Sequence, residues 1–458
     1  MRAISKRTYI LYGLMAIFFV LLSVFLFQYL NHNREWATKP SNRHLYPTTT
    51  GVFANAGQIT DRKGIVLAKT TDGKRVYAGD RDVRRAMLHT VGDTERFINT
   101  SVQKQFLPDL VGFSLLEGYY RNEAGLEGNS VELTVDSKIS EAAYKALGSR
   151  KGCVGVMNYE TGELLCTVST PTFDPENKPD VDGDKNGAYT GVYMNRLLSA
   201  KYPPGSTFKL ITAAAAIDNV DNVKARTFDC KGSKTYDGEK VICNAMHGKI
   251  SFDQALSKSC NVAFADLAVE MGADVMTEYA KKAGFGRTFS LDGIETAQGA
   301  FDLTEASKGD IGWSGIGQYT VLANPYQMLL YVGAIANDGL SVEPYLVQSI
   351  HSPLGIPLRV GVAKRGTQML RPETARELHR MMRNNVKSEY KSLRFGGLSV
   401  CAKTGTAEVG GGQKSHSWFV GFVEDENLPL AFVVVAENSG SGIGTAGPIA
   451  AKVLAAAK

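Results

Sequence analysis

Hydrophobic positions divide the 458-residue chain into three regimes. Residues Thr8 to Leu30 carry no charge and are rich in Phe, Leu, Ile and Val. At about 1.5 Å per residue that stretch is long enough to cross a hydrocarbon core of roughly 30 Å, and it predicts one transmembrane helix. A cleaved signal peptide would be shorter and end in a small-x-small site, whereas Leu30 is followed by Asn31-His32-Asn33-Arg34-Glu35-Trp36, so the helix is expected to stay as an anchor. Residues 31–150 are polar and turn-rich, with short alternating pieces such as Gly57-Gln58-Ile59-Thr60 and Val131-Glu132-Leu133-Thr134-Val135 and a helical stretch from Ser137 to Leu147; they predict a small spacer domain.

The third regime, 151–458, begins with strand-like runs at Cys153 to Met157 and Leu164 to Val168 around the turn residues Tyr159-Glu160-Thr161-Gly162, a hairpin signal. Three more strand-like runs follow near the C-terminus, Leu398 to Lys403, Trp418 to Val423 and Leu430 to Glu437, with a helical run from Ile449 to Ala457. The five strands are expected to form one antiparallel sheet in an α+β domain. About 220 residues of mainly helical pattern separate the two strand groups, including Ser206 to Ile217, Phe252 to Met271 and Pro325 to Asn337. A cleft between sheet edge and helical part is where a site is expected.

Composition adds exclusions. The chain has 51 Lys+Arg against 46 Asp+Glu, a net charge of +5, and no block of like charges, so no nucleic-acid partner is expected. Its six cysteines include no C-x-x-C pair and its seven histidines no i, i+4 pair, so neither metal nor other cofactor is expected. Arg2, Lys6 and Arg7 precede the anchor and Arg34, Lys39 and Arg43 follow it, a tie that leaves its orientation open.

The chemistry starts at Tyr202-Pro203-Pro204-Gly205-Ser206-Thr207-Phe208-Lys209. Two prolines and a glycine lead into a helix, which puts Ser206 in the first turn, where the dipole favours an oxyanion, with Lys209 at i+3 on the same face. If that lysine is neutral it can take the serine's proton. Ser101-x-x-Lys104 and Ser388-x-x-Lys391 have the same spacing but not the Pro-Pro-Gly entry. The order of motifs separates them: Ser259-Cys260-Asn261 follows Ser206 by 53 positions in a helical stretch, and Lys403-Thr404-Gly405-Thr406 follows 144 later on a strand.

Ser-x-x-Lys, Ser-x-Asn and Lys-Thr-Gly in this order resemble the set carried by penicillin-binding proteins and class A β-lactamases. The resemblance covers most of the chain and is closest to class B penicillin-binding proteins, in particular the smaller members of Gram-positive bacteria. Gly57-Gln58-Ile59-Thr60-Asp61-Arg62-Lys63-Gly64, Arg84 to Asp93, Glu160 to Leu165, Gly315-Ile316-Gly317-Gln318, Ala336-Asn337-Asp338-Gly339 and His416-Ser417-Trp418-Phe419 also carry it. Asn158 and the His416-Ser417 pair depart from the usual Asp and His-Ala. Cys260 reads as a small packed residue, and Cys230 and Cys243 as either a loop disulfide, if the body is extracellular, or two free thiols.

The resemblance implies a serine transpeptidase/β-lactamase-like fold after a cytoplasmic tip and anchor (1–30) and a membrane-proximal pedestal (31–150), with the transpeptidase domain at 151–458. It implies that Ser206 attacks the D-Ala-D-Ala carbonyl of a peptidoglycan stem peptide, with Lys209 as base, Ser259 on the proton path and Asn261 holding substrate amide and Lys209. Lys403 supplies a nearby positive charge, Thr404 and Thr406 bind the substrate carboxylate, and Gly405 lets the strand come close. β-Lactam antibiotics would acylate the same serine. The family's location sets residues 1–7 inside and the catalytic body outside the bacterial cell membrane. With no glycosyltransferase domain before residue 150, the implied partner is a glycosyltransferase of the shape-and-division family. The alternatives are a D,D-carboxypeptidase using water as acceptor, an anchored serine β-lactamase, for which no deacylating base loop is evident, and a β-lactam-binding, non-catalytic scaffold of wall synthesis. A β-lactam sensor would need a cytoplasmic output domain, and only seven residues precede the span.

Overall fold

A computed structural model describes residues 2–37, 51–114, 118–119, 128–391, 393 and 395–458; Lys39 and Arg43 of the charge comparison lie outside the described residues. An α-helix runs Arg2–Ala37. Its segment Lys6–Leu30 has a mean hydropathy of 2.7 and none of its apolar window is buried among the described residues, which fits a membrane anchor. The helix outruns the uncharged stretch at both ends because a charged side chain ends an apolar run without ending the backbone ladder.

The five expected strands pair as one antiparallel sheet: β1 (Gly152–Asn158), β2 (Leu164–Thr170), β3 (Val400–Ala407), β4 (His416–Val423) and β5 (Leu430–Ala436), in the order β3-β4-β5-β1-β2. The strands are buried nearly end to end, as expected of a sheet covered on both faces. Alternate residues serve the two sides. Val154, Val156, Val168, Phe432 and Val434 pack with Ile139, Ala143, Ile449 and Val453 of the helices Ser137–Leu147 and Ala446–Ala457. Cys153, Met157, Val433 and Val435 join the cluster of Met328, Leu329 and Val332 on the helix Pro325–Ala336. The expected α+β sheet is thus present, with β3 and its Lys-Thr-Gly run at the edge.

The segment between the first helix and residue 150 is built around a second sheet of six strands in the order Pro357–Val360, Val347–His351, Ser130–Leu133, Ile59–Thr60, Val66–Thr71 and Lys74–Tyr77. Two of these strands come from residues beyond 340, so one sheet joins the segment before residue 150 to the later chain. The helix Ser137–Leu147 crosses in the other direction, lying on the five-stranded sheet. Asp61 fixes this crossing: fully buried, it accepts from the backbone N–H of Lys63 and Ile65 and from Ser137 Oγ at 2.7 Å. Arg84 donates through Nε and Nη2 to the two oxygens of Asp174, both at 2.7 Å, a bidentate pair that ties the helix Arg81–Val91 to the chain after β2. The intervening region is less helical than its pattern suggests, because short antiparallel ribbons at Thr227–Cys230 with Gly248–Ser251 and at Ser233–Tyr236 with Glu239–Ile242 interrupt it.

Candidate active site

Ser206 sits on a turn rather than in the helix expected to contain it. Gly205–Thr207 form one 3-10 turn, and the α-helix starts at Lys209 and runs to Asn219. The cause lies at Gly205, whose φ of +51° is left-handed and incompatible with a right-handed helix. Its N–H donates to Gly317 O at 3.0 Å, and a Cβ there would lie 2.6 Å from Thr406 O. Trp418 Nε1 holds the entry by donating to Pro203 O at 3.0 Å. The Ser206 turn is therefore clamped against the edge strand β3.

Gly405 is the matching contact on β3. A Cβ at this position would lie 2.8 Å from Pro204 O and 2.9 Å from both Thr207 Cγ2 and Trp418 Cβ, so the missing side chain is what lets the strand touch the turn. Gly405→Ala is expected to lower the rate of β-lactam acylation by about 10²-fold, the cost of misplacing a reacting group by about 1 Å, with the circular dichroism of the chain unchanged. A rate within twofold of wild type would contradict the clamp.

Ser259 and Asn261 lie at a helix break, which corrects the expectation of a continuous helical stretch. One helix runs Phe252–Ser257 and the next starts at Asn261, capped by Cys260. Ser259 between them has a left-handed φ of +57°, a strain of about 1–2 kcal/mol for a residue with a Cβ. The break brings the carbonyl and hydroxyl of Ser259 to one amine. Lys209 Nζ donates to Ser259 O and to Asn261 Oδ1, both at 2.6 Å, and lies 3.3 Å from Ser259 Oγ. Asn261 Nδ2 is held by Ile242 O at 2.7 Å, which fixes the amide so that its oxygen faces the lysine. Lys403 reaches the same hydroxyl from β3, with Nζ 2.9 Å from Ser259 Oγ and 3.0 Å from Thr404 O.

Both lysines are completely buried, and neither has a carboxylate partner within salt-bridge reach among the described residues. Burial disfavours their charged forms: it pushes Lys209 down to about 7, and Lys403 well below its ordinary range, helped by repulsion from Lys209. Two ammonium groups sharing one hydroxyl do not both stay charged at neutral pH.

Ser206, Ser259, Asn261, Trp313, Tyr390, Thr404 and Thr406 line one cleft of about 570 Å³. Thr404 and Thr406 are one pleat apart on β3 and face the cleft together. Tyr390, which motif reading missed, places its hydroxyl 3.2 Å from the backbone N of Thr404 and 3.1 Å from Thr404 Oγ1; it follows the helix Pro372–Ser388 and carries no motif of its own. All eight residues expected from the sequence meet around this cleft or directly behind it. The two other Ser-x-x-Lys runs do not: Ser388 Oγ donates to Asn384 O at the exposed end of the helix Pro372–Ser388 and Ser101 Oγ to Ile98 O.

The cysteines bear on one alternative that the sequence left open and on one spacing argument. All six are free thiols, so Cys230 and Cys243 form no disulfide. The sequence has no C-x-x-C spacing, and the fold brings the ligand atoms of Cys230, Cys243, His247 and Cys260 within 4.8 Å of one another, because the ribbon of Thr227–Cys230 with Gly248–Ser251 pairs distant segments.

Residues 152–455 match the family described as the penicillin binding protein transpeptidase domain. The chain is 30% identical over 368 residues to the peptidoglycan D,D-transpeptidase PbpA of Mycobacterium tuberculosis, covering 72% of each protein. It is 29% identical over 349 residues to the stage V sporulation protein D of Bacillus subtilis, covering 72% of this chain and 52% of that one. Among solved structures, the penicillin G acyl-enzyme complex of penicillin-binding protein A from M. tuberculosis matches with a TM-score of 0.76 and 26% identity, over 88% of this chain and 99% of that one. With the family match extending over more than half of its length and the relatives similar over most of it, the chain belongs to the penicillin-binding protein transpeptidase family.

Proposed function

We propose that the protein is a class B, membrane-anchored peptidoglycan D,D-transpeptidase that cross-links stem peptides through an ester on Ser206 and is acylated there by β-lactams. The observation that carries this reading is the convergence of two buried lysines on Ser259 Oγ beside Ser206. The PbpA relatives bear the same activity in their name.

The hydrogen count at Lys209 explains its role. A neutral amine has two hydrogens and one lone pair, and Ser259 O and Asn261 Oδ1 accept two hydrogens at 2.6 Å; the lone pair is left for the proton of Ser206 Oγ. A substrate carboxylate bound at Thr404 and Thr406 would draw the shared positive charge to Lys403 and leave Lys209 in this base form. As Ser206 Oγ bonds to the D-Ala-D-Ala carbonyl carbon, its proton passes to Lys209. When the C–N bond breaks, the departing D-Ala nitrogen takes a proton relayed through Ser259. The N–H groups of Ser206 and Thr406 are assigned to the oxyanion, at roughly 3–4 kcal/mol for each such donor. A second stem-peptide amine then attacks the ester, restoring the proton and freeing Ser206. In a β-lactam the broken C–N bond leaves its amine tethered, so it stays in the acceptor's place.

Because the neutral form of Lys209 is the base, the acylation rate is expected to rise with pH through about 7 and level off above it. Stopped-flow acylation between pH 5.5 and 9 checks this; a rate that falls across the interval would contradict a lysine base.

By the same proposal the helix Arg2–Ala37 crosses the membrane once with residues 1–7 inside, residues 31–150 form the pedestal, and 151–458 work outside the cell. Glycan polymerisation falls to a partner glycosyltransferase of the shape-and-division family, reached through the anchor and pedestal. The test uses the full chain in detergent with a stem peptide and a labelled D-amino acid as acceptor. D-Ala release with incorporation of the label supports transpeptidation, release without incorporation identifies a carboxypeptidase, and neither identifies a scaffold.

A further inference from the structure

We propose that a cavity between the helix Pro325–Ala336 and the ribbon of Leu340–Glu343 with Lys364–Gln368 binds a short peptide carrying both carboxylate and ammonium groups, as the wall stem peptide does, and that the bound peptide is an effector of the Ser206 site. Naming the wall peptide rests on the transpeptidase reading; the cavity does not. It holds about 490 Å³ and shares no lining residue with the catalytic cleft. That volume falls within the roughly 300–1,000 Å³ usual for small-ligand sites.

A polar group without a partner points to a ligand. Tyr326, the second residue of the helix, is fully buried and lines the cavity, yet its hydroxyl has no hydrogen-bond partner among the described residues, whereas buried hydroxyls are nearly always paired. Burial, and after it the Asp292 and Glu343 carboxylates, push this phenol up, so it stays protonated and offers a hydrogen to a carbonyl or carboxylate oxygen. Both carboxylates line the same cavity.

The charged lining is divided as a zwitterion requires. Asp292 is already satisfied, paired with Arg359 and accepting from the backbone N–H of Leu346 at 2.7 Å and of Val347 at 2.8 Å. Arg287, Glu343 and Lys364 are exposed at the rim and make no ion pair among the described residues. Glu343 and Lys364 stand opposite each other in the ribbon register, and Arg287 adds a second cation from another wall, its guanidinium 5.0 Å over the Phe289 ring. Two free cations and one free carboxylate match N-acetyl-L-Ala-γ-D-Glu-L-Lys, an acylated stem tripeptide with two carboxylates and one ammonium. Val360 and Val362, both exposed, add apolar contact.

The cavity is joined to the catalytic turn through the backbone. Three residues before Tyr326, Ala323 N donates to Tyr202 O at 2.8 Å and Ala323 O accepts from Tyr202 N at 3.0 Å; Asn324 Nδ2 donates to Ala200 O at 2.8 Å and Leu198 O at 3.0 Å. Tyr202 opens the motif that ends at Lys209. A peptide that gives Tyr326 its partner therefore steadies the helix start on which the entry to Ser206 hangs.

Isothermal titration of the full chain in detergent with N-acetyl-L-Ala-γ-D-Glu-L-Lys, which lacks the D-Ala-D-Ala end, is expected to show saturable binding of one peptide per chain. Tyr326→Phe should weaken it about 3- to 10-fold and Lys364→Ala about 10- to 100-fold, the ranges for a neutral and a charged hydrogen bond. Because the Tyr326 hydroxyl has no internal partner, Tyr326→Phe should keep a thermal midpoint at or above that of wild type; a hydroxyl serving the fold would lower it. No binding, binding that both variants leave unchanged, or a lowered midpoint would overturn the site. Saturating peptide should speed β-lactam acylation at least about fivefold, and an unchanged or slower rate would overturn the effector role. Binding is read without turnover, so it fails or succeeds separately from the transpeptidase reading, whose failure shows as a missing adduct on Ser206.

Discussion

Lys209→Met is expected to lower the rate of acylation by a β-lactam by about 10²–10⁴-fold, the range a positioned general base contributes, while the cleft keeps its shape. Methionine fills nearly the same buried volume, but its thioether sulfur is far too weakly basic to take the proton of Ser206. The same substitution has a signature in stability. Folding lowers Lys209 from its ordinary value of 10.5 to about 7, so between those two values the unfolded chain binds more protons and wild-type stability rises with pH. The variant lacks that gain, and its thermal midpoint should rise less than that of wild type between pH 7 and 9. Stopped-flow acylation and thermal scans at the two pH values check both parts. Wild-type acylation by the variant, or identical pH slopes, would remove Lys209 from the base role.

Trp418→Ala is expected to destabilise the chain by about 3–5 kcal/mol, the usual cost of emptying a buried aromatic position. Trp418 on β4 is fully buried, stacks edge-on against Tyr202 at 6.1 Å and donates to Pro203 O at the entry to the Ser206 turn. Its loss therefore leaves a cavity, removes the donor from the partly buried Pro203 carbonyl and releases the clamp on the Ser206 turn. Chemical denaturation should show the loss in the transition that reports the five-stranded sheet, together with slower acylation of the folded fraction. A midpoint shift worth less than 1 kcal/mol would mean that the turn is held mainly elsewhere, at Gly205 and Gly317.

The sheet was legible in the sequence because its strands are covered on both faces, which makes them short, unbroken apolar runs such as Val154 to Met157 and Leu430 to Val435. Ser206 and Lys209 were legible because their relation is local, one turn of chain with a Pro-Pro-Gly entry. What stayed hidden depends on distant pairing or on backbone strain. Val347–His351 joins the six-stranded sheet by pairing with Ser130–Leu133, more than 200 residues away. The left-handed turn at Ser259 lies between good helix formers, so apolar periodicity runs straight through it. Tyr390 belongs to the cleft only through β3. The cluster of Cys230, Cys243, His247 and Cys260 has only Cys243 and His247 close in sequence; the ribbon register brings in the rest.

The most direct test of the central claim is intact-mass spectrometry of the full chain incubated with a labelled penicillin, wild type beside Ser206→Ala, with the adduct followed for hours and mapped by peptide. The expected result is one stable adduct on the peptide bearing Ser206 and none on the variant. An adduct that survives in Ser206→Ala, or no adduct on a folded wild-type chain, would contradict acyl transfer through this serine.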